Sequence, residues 1–251
     1  NVVTSTPTSG ATFTVDNTSP TAAITYSATA PFKNGDANVV ITATFNGAVL
    51  DSPVPTIAIA GSGTLAATSS TVMTKTSSTV YTYTYTVPTG DGTGTVTVGT
   101  GTDAAGNVVT STPTSGATFT VDNTAPTQTV SGVDINADTG TSNSDFITKT
   151  AAQTISGTLS ANLAASDILN GSVNNGSDWT NITSKVSGTG ITWNGATLSG
   201  SSNILFKITD AAGNDSNTTG SQAYVLDTTA PTAILIYTGT VYASSGEIDP
   251  Q

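Results

Sequence analysis

The sequence predicts an all-β protein of tandem sandwich domains arranged as a rod, and three observations predict it. Its polarity comes from threonine, serine, asparagine and glycine, for only 8% of its 251 residues are charged. Short segments alternate apolar and polar residues with the period of a strand. A D-x-T-x-P-T motif also returns at a fixed period, headed by Asp16, Asp122 and Asp227, which lie 106 and 105 residues apart.

The period sets the organisation. Residues 1–21 match residues 107–127 at every position except Ser19 against Ala125. The run TDAAGN occurs at 102–107 and again at 209–214. A unit near 105 residues suits one domain. Residues 1–16 are expected to be the last strand of a preceding domain. Residues 17–122 and 123–227 are expected to form complete domains, and 228–251 to begin another. The chain reads as a window on a longer array.

The strands follow in order. VVITATF (39–45) points Val39, Ile41, Ala43 and Phe45 to one face. VYTYTYTV (80–87) sets Tyr81, Tyr83, Tyr85 and Val87 against threonines, so the tyrosine row reads as a core face rather than a ligand ladder. GTVTVGT (94–100) and ATFTVD (117–122) alternate in the same way. In the second unit ILFKITD points Ile204, Phe206 and Ile208 inward and Lys207 outward. Asn-Gly pairs at 34, 46, 170, 175 and 194 read as turns. No helical period competes. About seven short strands per unit fit an immunoglobulin-like sandwich.

Composition removes several function classes. The net charge is −11, histidine and cysteine are absent, and the five basic residues are all lysines. Such a chain repels nucleic acid and anionic membrane surfaces. No apolar run is long enough to span a bilayer. A hydrolase triad lacks its histidine and no G-x-S-x-G elbow occurs, so the chain is read as no enzyme. Trp179 and Trp193 are read as packing residues. Six Asn-x-Ser/Thr sequons, at Asn17, Asn170, Asn175, Asn181, Asn214 and Asn217, are what such a composition produces by chance.

TDAAGN followed by D-[NT]-T-A-P-T resembles the bacterial immunoglobulin-like repeats of large surface adhesins and biofilm-associated proteins. DTGTSNSDFIT, QTISGTLSANLAASD and SQAYVLDTTAPT in the second unit are similar to that family, and SPTAAITYSATAPFKNGD in the first is similar to a sister type. The resemblance implies an extracellular, cell-surface stalk stiffened by calcium.

The acids carry the candidate chemistry. In such a sandwich the start of the first strand and the BC and FG loops share one pole. Asp16, Asp51 and Asp103 are expected to meet there in the first unit, and Asp122, Asp167 and Asp210 in the second. The opposite pole has Asp36 and Asp91 in the first unit, and Asp138 and Asp145 in the second. Three carboxylates at one spot repel unless a cation lies between them, and an all-oxygen set suits Ca²⁺. Aspartate also serves turns by binding the backbone two residues on. Both readings stand at this point.

The expected function is mechanical: a spacer whose partners are neighbouring repeats of the same chain. Two alternatives stand beside it. One is a surface-layer or filament subunit that pairs laterally with copies of itself. The other is an adhesin domain that binds a host or surface glycan.

Overall fold

The computed structural model describes residue 10 and residues 12–233. The expected strand of a preceding unit and the expected start of a following one lie largely outside those residues. Residues 12–16 form no strand, and Phe13 and Val15 are 88% and 66% exposed.

Each unit is a sandwich of two sheets. The first unit contains β1 (Ala22–Tyr26), β2 (Val39–Phe45), β3 (Thr56–Gly61) and β4 (Thr68–Val72), then β5 (Thr74–Lys75), β6 (Val80–Tyr85), β7 (Gly92–Gly99) and β8 (Thr118–Val121). Their order is β1-β2-β6-β5 in one sheet and β4-β3-β7-β8 in the other. With the strands lettered A to G, this is A-B-E-D facing C′-C-F-G, the immunoglobulin arrangement. After β1 the chain crosses to the second sheet, where Phe32 bridges Val121 in parallel.

The second unit repeats the plan. It contains β9 (Val130–Ile135), β10 (Ile147–Thr148), β11 (Ala152–Leu159), β12 (Ile168–Ser172) and β13 (Thr180–Asn181). β14 (Val186–Ser187), β15 (Gly190–Thr197), β16 (Ser201–Thr209) and β17 (Thr219–Leu226) complete it. The sheets run β14-β15-β11-β9 and β10-β17-β16-β12-β13, with β10 parallel to β17. One 3-10 turn, Thr183–Lys185, is the helical element among the described residues.

Alternation built both cores. In β2 the residues Val39, Ile41, Ala43 and Phe45 are buried, and their neighbours are exposed or half-buried. Tyr81 and Tyr85 are buried, with Tyr83 packed at the core's edge. Phe119 meets Tyr26, Phe32 and Tyr85 at ring-centroid separations of 5.3 to 5.4 Å. Ile155, Leu169, Ile204, Phe206 and Ile208 centre the other core. Burying a side chain of that size contributes about 1.5–3 kcal/mol. The core residues of the first sandwich lie between Ala22 and Val121, and those of the second between Val130 and Tyr224.

Two Asn-Gly pairs depart from the turn expectation. Asn170-Gly171 lies inside β12, where a Cβ on Gly171 would come 2.5 Å from Cζ3 of Trp193. That glycine makes room for the indole. Asn194-Gly195 lies inside β15, where the register to β11 shifts and Gly195 takes φ +81°. It is a bulge glycine, in a conformation that favours residues without a Cβ.

Candidate functional site

The acids do not all gather as the sequence suggested. Asp16 and Asp103 line one shallow depression with Asn46, Gly47 and Ala48. Asp51 is elsewhere. Its Oδ2 accepts from Lys75 Nζ at 2.6 Å and its Oδ1 from the Tyr81 hydroxyl at 3.0 Å. Lys75 first, then Tyr81, holds the Asp51 carboxyl below its ordinary value. The expected trio of Asp16, Asp51 and Asp103 is therefore a pair, because β5 supplies the BC-loop acid with its own cation.

Asp122, Asp167 and Asp210 do line a common depression, with Thr124 and Ala164. They share its wall without converging, for no three acidic side chains among the described residues form a metal-sized cluster. Each already serves the backbone. Asp122 Oδ1 accepts from the Thr124 N–H at 3.0 Å, and Asp167 Oδ2 from the Ala164 N–H at 3.1 Å. Asp210 Oδ1 accepts from the N–H groups of Ala212 and Asn214.

At the other pole Asp36 closes a turn on the Lys33 N–H. Asp91 reaches into the linker, accepting from the Asn123 N–H at 2.5 Å and from the Thr124 hydroxyl. Those bonds, Thr124 first, hold its carboxyl below the ordinary value. In the second unit Asp138 Oδ2 accepts from the Phe146 N–H, and Asp145 Oδ1 from the Ile147 N–H. Asp138 Oδ1 is buried with no hydrogen-bond partner.

Side-chain amides, to which the acid-headed motifs alone do not point, do most of the joining. In TDAAGN the Asn107 side-chain amide donates to Asp103 Oδ2 at 2.9 Å and to the Asp16 carbonyl at 3.0 Å. Asn214 repeats this on Asp210 Oδ2 at 2.8 Å and on the Asp122 carbonyl at 3.0 Å. The FG loop is thus strapped to the entering linker twice by one device. Asn107 first, together with the loop N–H groups, lowers the Asp103 carboxyl although burial opposes it. The period carried this signal, since Asn107 and Asn214 recur with their aspartates.

The linker between the sandwiches is gripped from both sides. On the first sandwich, Asn123 Oδ1 accepts from the Asn34 N–H at 2.6 Å and its amide donates to the Gly90 carbonyl at 2.7 Å. From the second, Asn214 holds the Asp122 carbonyl. Across the joint, Lys33 Nζ donates to the Gly213 carbonyl. Hydrogen bonds from a charged donor are roughly twice as strong as neutral ones.

The tryptophans are packed. Trp193 is buried edge-on to Phe206, and Lys207 Nζ lies 5.0 Å from the Trp179 ring centroid. No helix among the described residues is long and apolar enough to cross a membrane.

No protein-family model matches the chain, and no curated protein matches it. Among solved structures it is similar to a chimeric titin Z1Z2-Z1Z2 tandem functionalized with a GRGDS exogenous peptide from fibronectin. The identity is 11%, over 81% of this chain and 99% of that chain, with a TM-score of 0.23. At that score the immunoglobulin-like fold rests on the strand order and not on the neighbour.

Proposed function

We propose that this chain is a non-enzymatic spacer segment of a tandem array, of the kind found in bacterial immunoglobulin-like surface adhesins. It would hold a distal part of a cell-surface protein away from the cell, with neighbouring repeats as its partners. The observation that carries this reading is the strap built twice, Asn107 on Asp16 and Asn214 on Asp122. A domain whose interest is a ligand has no need to fix its entering linker. A spacer does, because a free hinge lets the ends approach.

Calcium belongs to the same reading as a stiffener. The donors suit a hard cation, since the candidate side chains offer only oxygen. In the second unit Asp138 Oδ1, buried and unpartnered, is an atom that a cation would satisfy, with Asp145 in the same loop. At the joint, Asp122, Asp167 and Asp210 line one depression without converging, so an ion there would have to draw their carboxylates together. In the first unit Asp51 would not contribute, being paired with Lys75.

A lateral reading has one observation in its favour. The edge strand β4 (Thr68–Val72) carries no charge and no proline, and Val72 is 61% exposed. Natural edges are usually blunted by such residues.

Small-angle scattering of the chain, with calcium and with chelator, tests the spacer. An extended particle of fixed maximum dimension supports it. A profile averaged over all bends at residues 122–127 refutes it. Growth of the particle with concentration would favour lateral assembly instead.

A further inference from the structure

The joint between the sandwiches uses two half-sites: a lysine on one pole and a glycine carbonyl in the facing TDAAGN loop. Each half occurs a second time in the chain.

Lys33 directly follows Phe32, which bridges Val121 in parallel and accepts from the Asp122 N–H at 2.9 Å. Lys149 directly follows Thr148, which pairs with Leu226 in parallel and accepts from the Asp227 N–H at 2.8 Å. The two lysines hold the same place relative to the last strand of their sandwiches. The linker that follows also begins alike, for Thr124 N–H donates to Asp122 Oδ1 at 3.0 Å and Thr229 N–H to Asp227 Oδ1 at 2.9 Å. DNTAPT after the first sandwich becomes DTTAPT after the second. Lys33 is half-buried in its joint; Lys149 is exposed, beside a depression lined by Thr139, Gly140, Ile147 and Asp227. Among the described residues its amine has no partner.

The receiving half is duplicated too. Gly213 takes φ +84° and Gly106 φ +91° in the same loop, and each loop is closed by its Asp and Asn. Gly213 is half-buried with Lys33 upon it. Gly106 is exposed, with nothing within 4 Å of where its Cβ would be.

We propose that the Lys149 pole is a docking surface for another immunoglobulin-like sandwich bearing a TDAAGN-type loop. That sandwich is joined through residues 227–232, and Lys149 donates to the glycine carbonyl of its loop as Lys33 does to Gly213. The first sandwich of this chain carries such a pole, with Gly106 as acceptor. The inference rests on the spacer reading and adds to it a named coupling residue and a named acceptor.

The test uses a doubled chain in which residue 232 of one copy runs into residue 22 of the next, so that residues 227–232 form the new linker. The protein has no cysteine, so paired labels are unambiguous. Thr158→Cys in the first copy and Thr84→Cys in the second, both at exposed positions, bracket the new joint. The same two positions within one copy bracket the existing joint. Spin-label distance distributions should be narrow across both. Lys149→Ala in the first copy should abolish the narrow distribution across the new joint only, and Lys149→Arg should restore it. Lys33→Ala should do the same at the existing joint. A distribution across the new joint that is broad in the parent, or narrow in Lys149→Ala, overturns the inference. If Lys33→Ala still broadens the existing joint, the spacer reading survives that failure. A Lys33→Ala joint that stays narrow overturns lysine coupling at both.

Discussion

The side-chain amide of Asn214 donates at 3.0 Å to the main-chain carbonyl of Asp122, 92 residues earlier in the chain. The same amide donates to Asp210 Oδ2, whose partner oxygen is held by two loop N–H groups. One side chain therefore fixes the FG loop and the linker together. Its first-sandwich counterpart, Asn107, does the same between Asp103 and Asp16.

Asn214→Ala should destabilise the second sandwich by about 1–2 kcal/mol, the scale of a lost hydrogen bond that strands a partner. Both tryptophans, Trp179 and Trp193, lie in that sandwich, so fluorescence during urea unfolding reports on it alone. Asn107→Ala should leave the tryptophan transition in place. Equal midpoints for Asn214→Ala and the parent would show that the strap does not stabilise the second sandwich.

Gly171→Ala should cost about 1–3 kcal/mol by overpacking, because the added carbon meets the Trp193 ring. Gly47, with open space around its Cβ position, should tolerate alanine within about 0.5 kcal/mol. Urea midpoints compare the two.

The Asp91 grip depends on pH. Thr124 and Asn123 depress its carboxyl below the ordinary 3.8. A depressed acid stabilises the form that holds it above the unfolded value, so the contribution is whole above pH 3.8 and is lost as pH falls through Asp91's lower value. The Asn123 amide resonance should report a midpoint below 3.8, and Thr124→Ala should raise it. A midpoint unmoved by Thr124→Ala would show that the hydroxyl does not act on Asp91.

Calcium binding should register in titration calorimetry, and Asp138→Asn should remove one component of the heat. The variant should remain folded, because Oδ2 of Asp138 serves only the Phe146 N–H. Identical isotherms for parent and variant would assign that loop to turn chemistry.

The strands were legible because alternation in VVITATF or ILFKITD maps directly onto inward and outward faces. The period of the Asp-headed motifs also located the loops that meet the linker. Asp51 was not legible, since its diversion depends on Lys75, 24 residues away on β5, an edge strand of only two residues. The Asn170-Gly171 pair misled because the residue over that glycine, Trp193, arrives from the opposite sheet. The amide straps were hidden by composition: in a chain rich in asparagine, only their period marks Asn107 and Asn214.

Side chains from both sandwiches fix the linker. Backbone ¹⁵N relaxation of the chain tests this most directly, because it shows whether the two sandwiches tumble as one body. The parent should show a single elongated diffusion tensor. Two independent tensors are expected once Asp91→Ala, Asn214→Ala and Lys33→Ala are combined. Independent tumbling in the parent, or a single tensor that survives all three substitutions, would show that these side chains do not fix the linker.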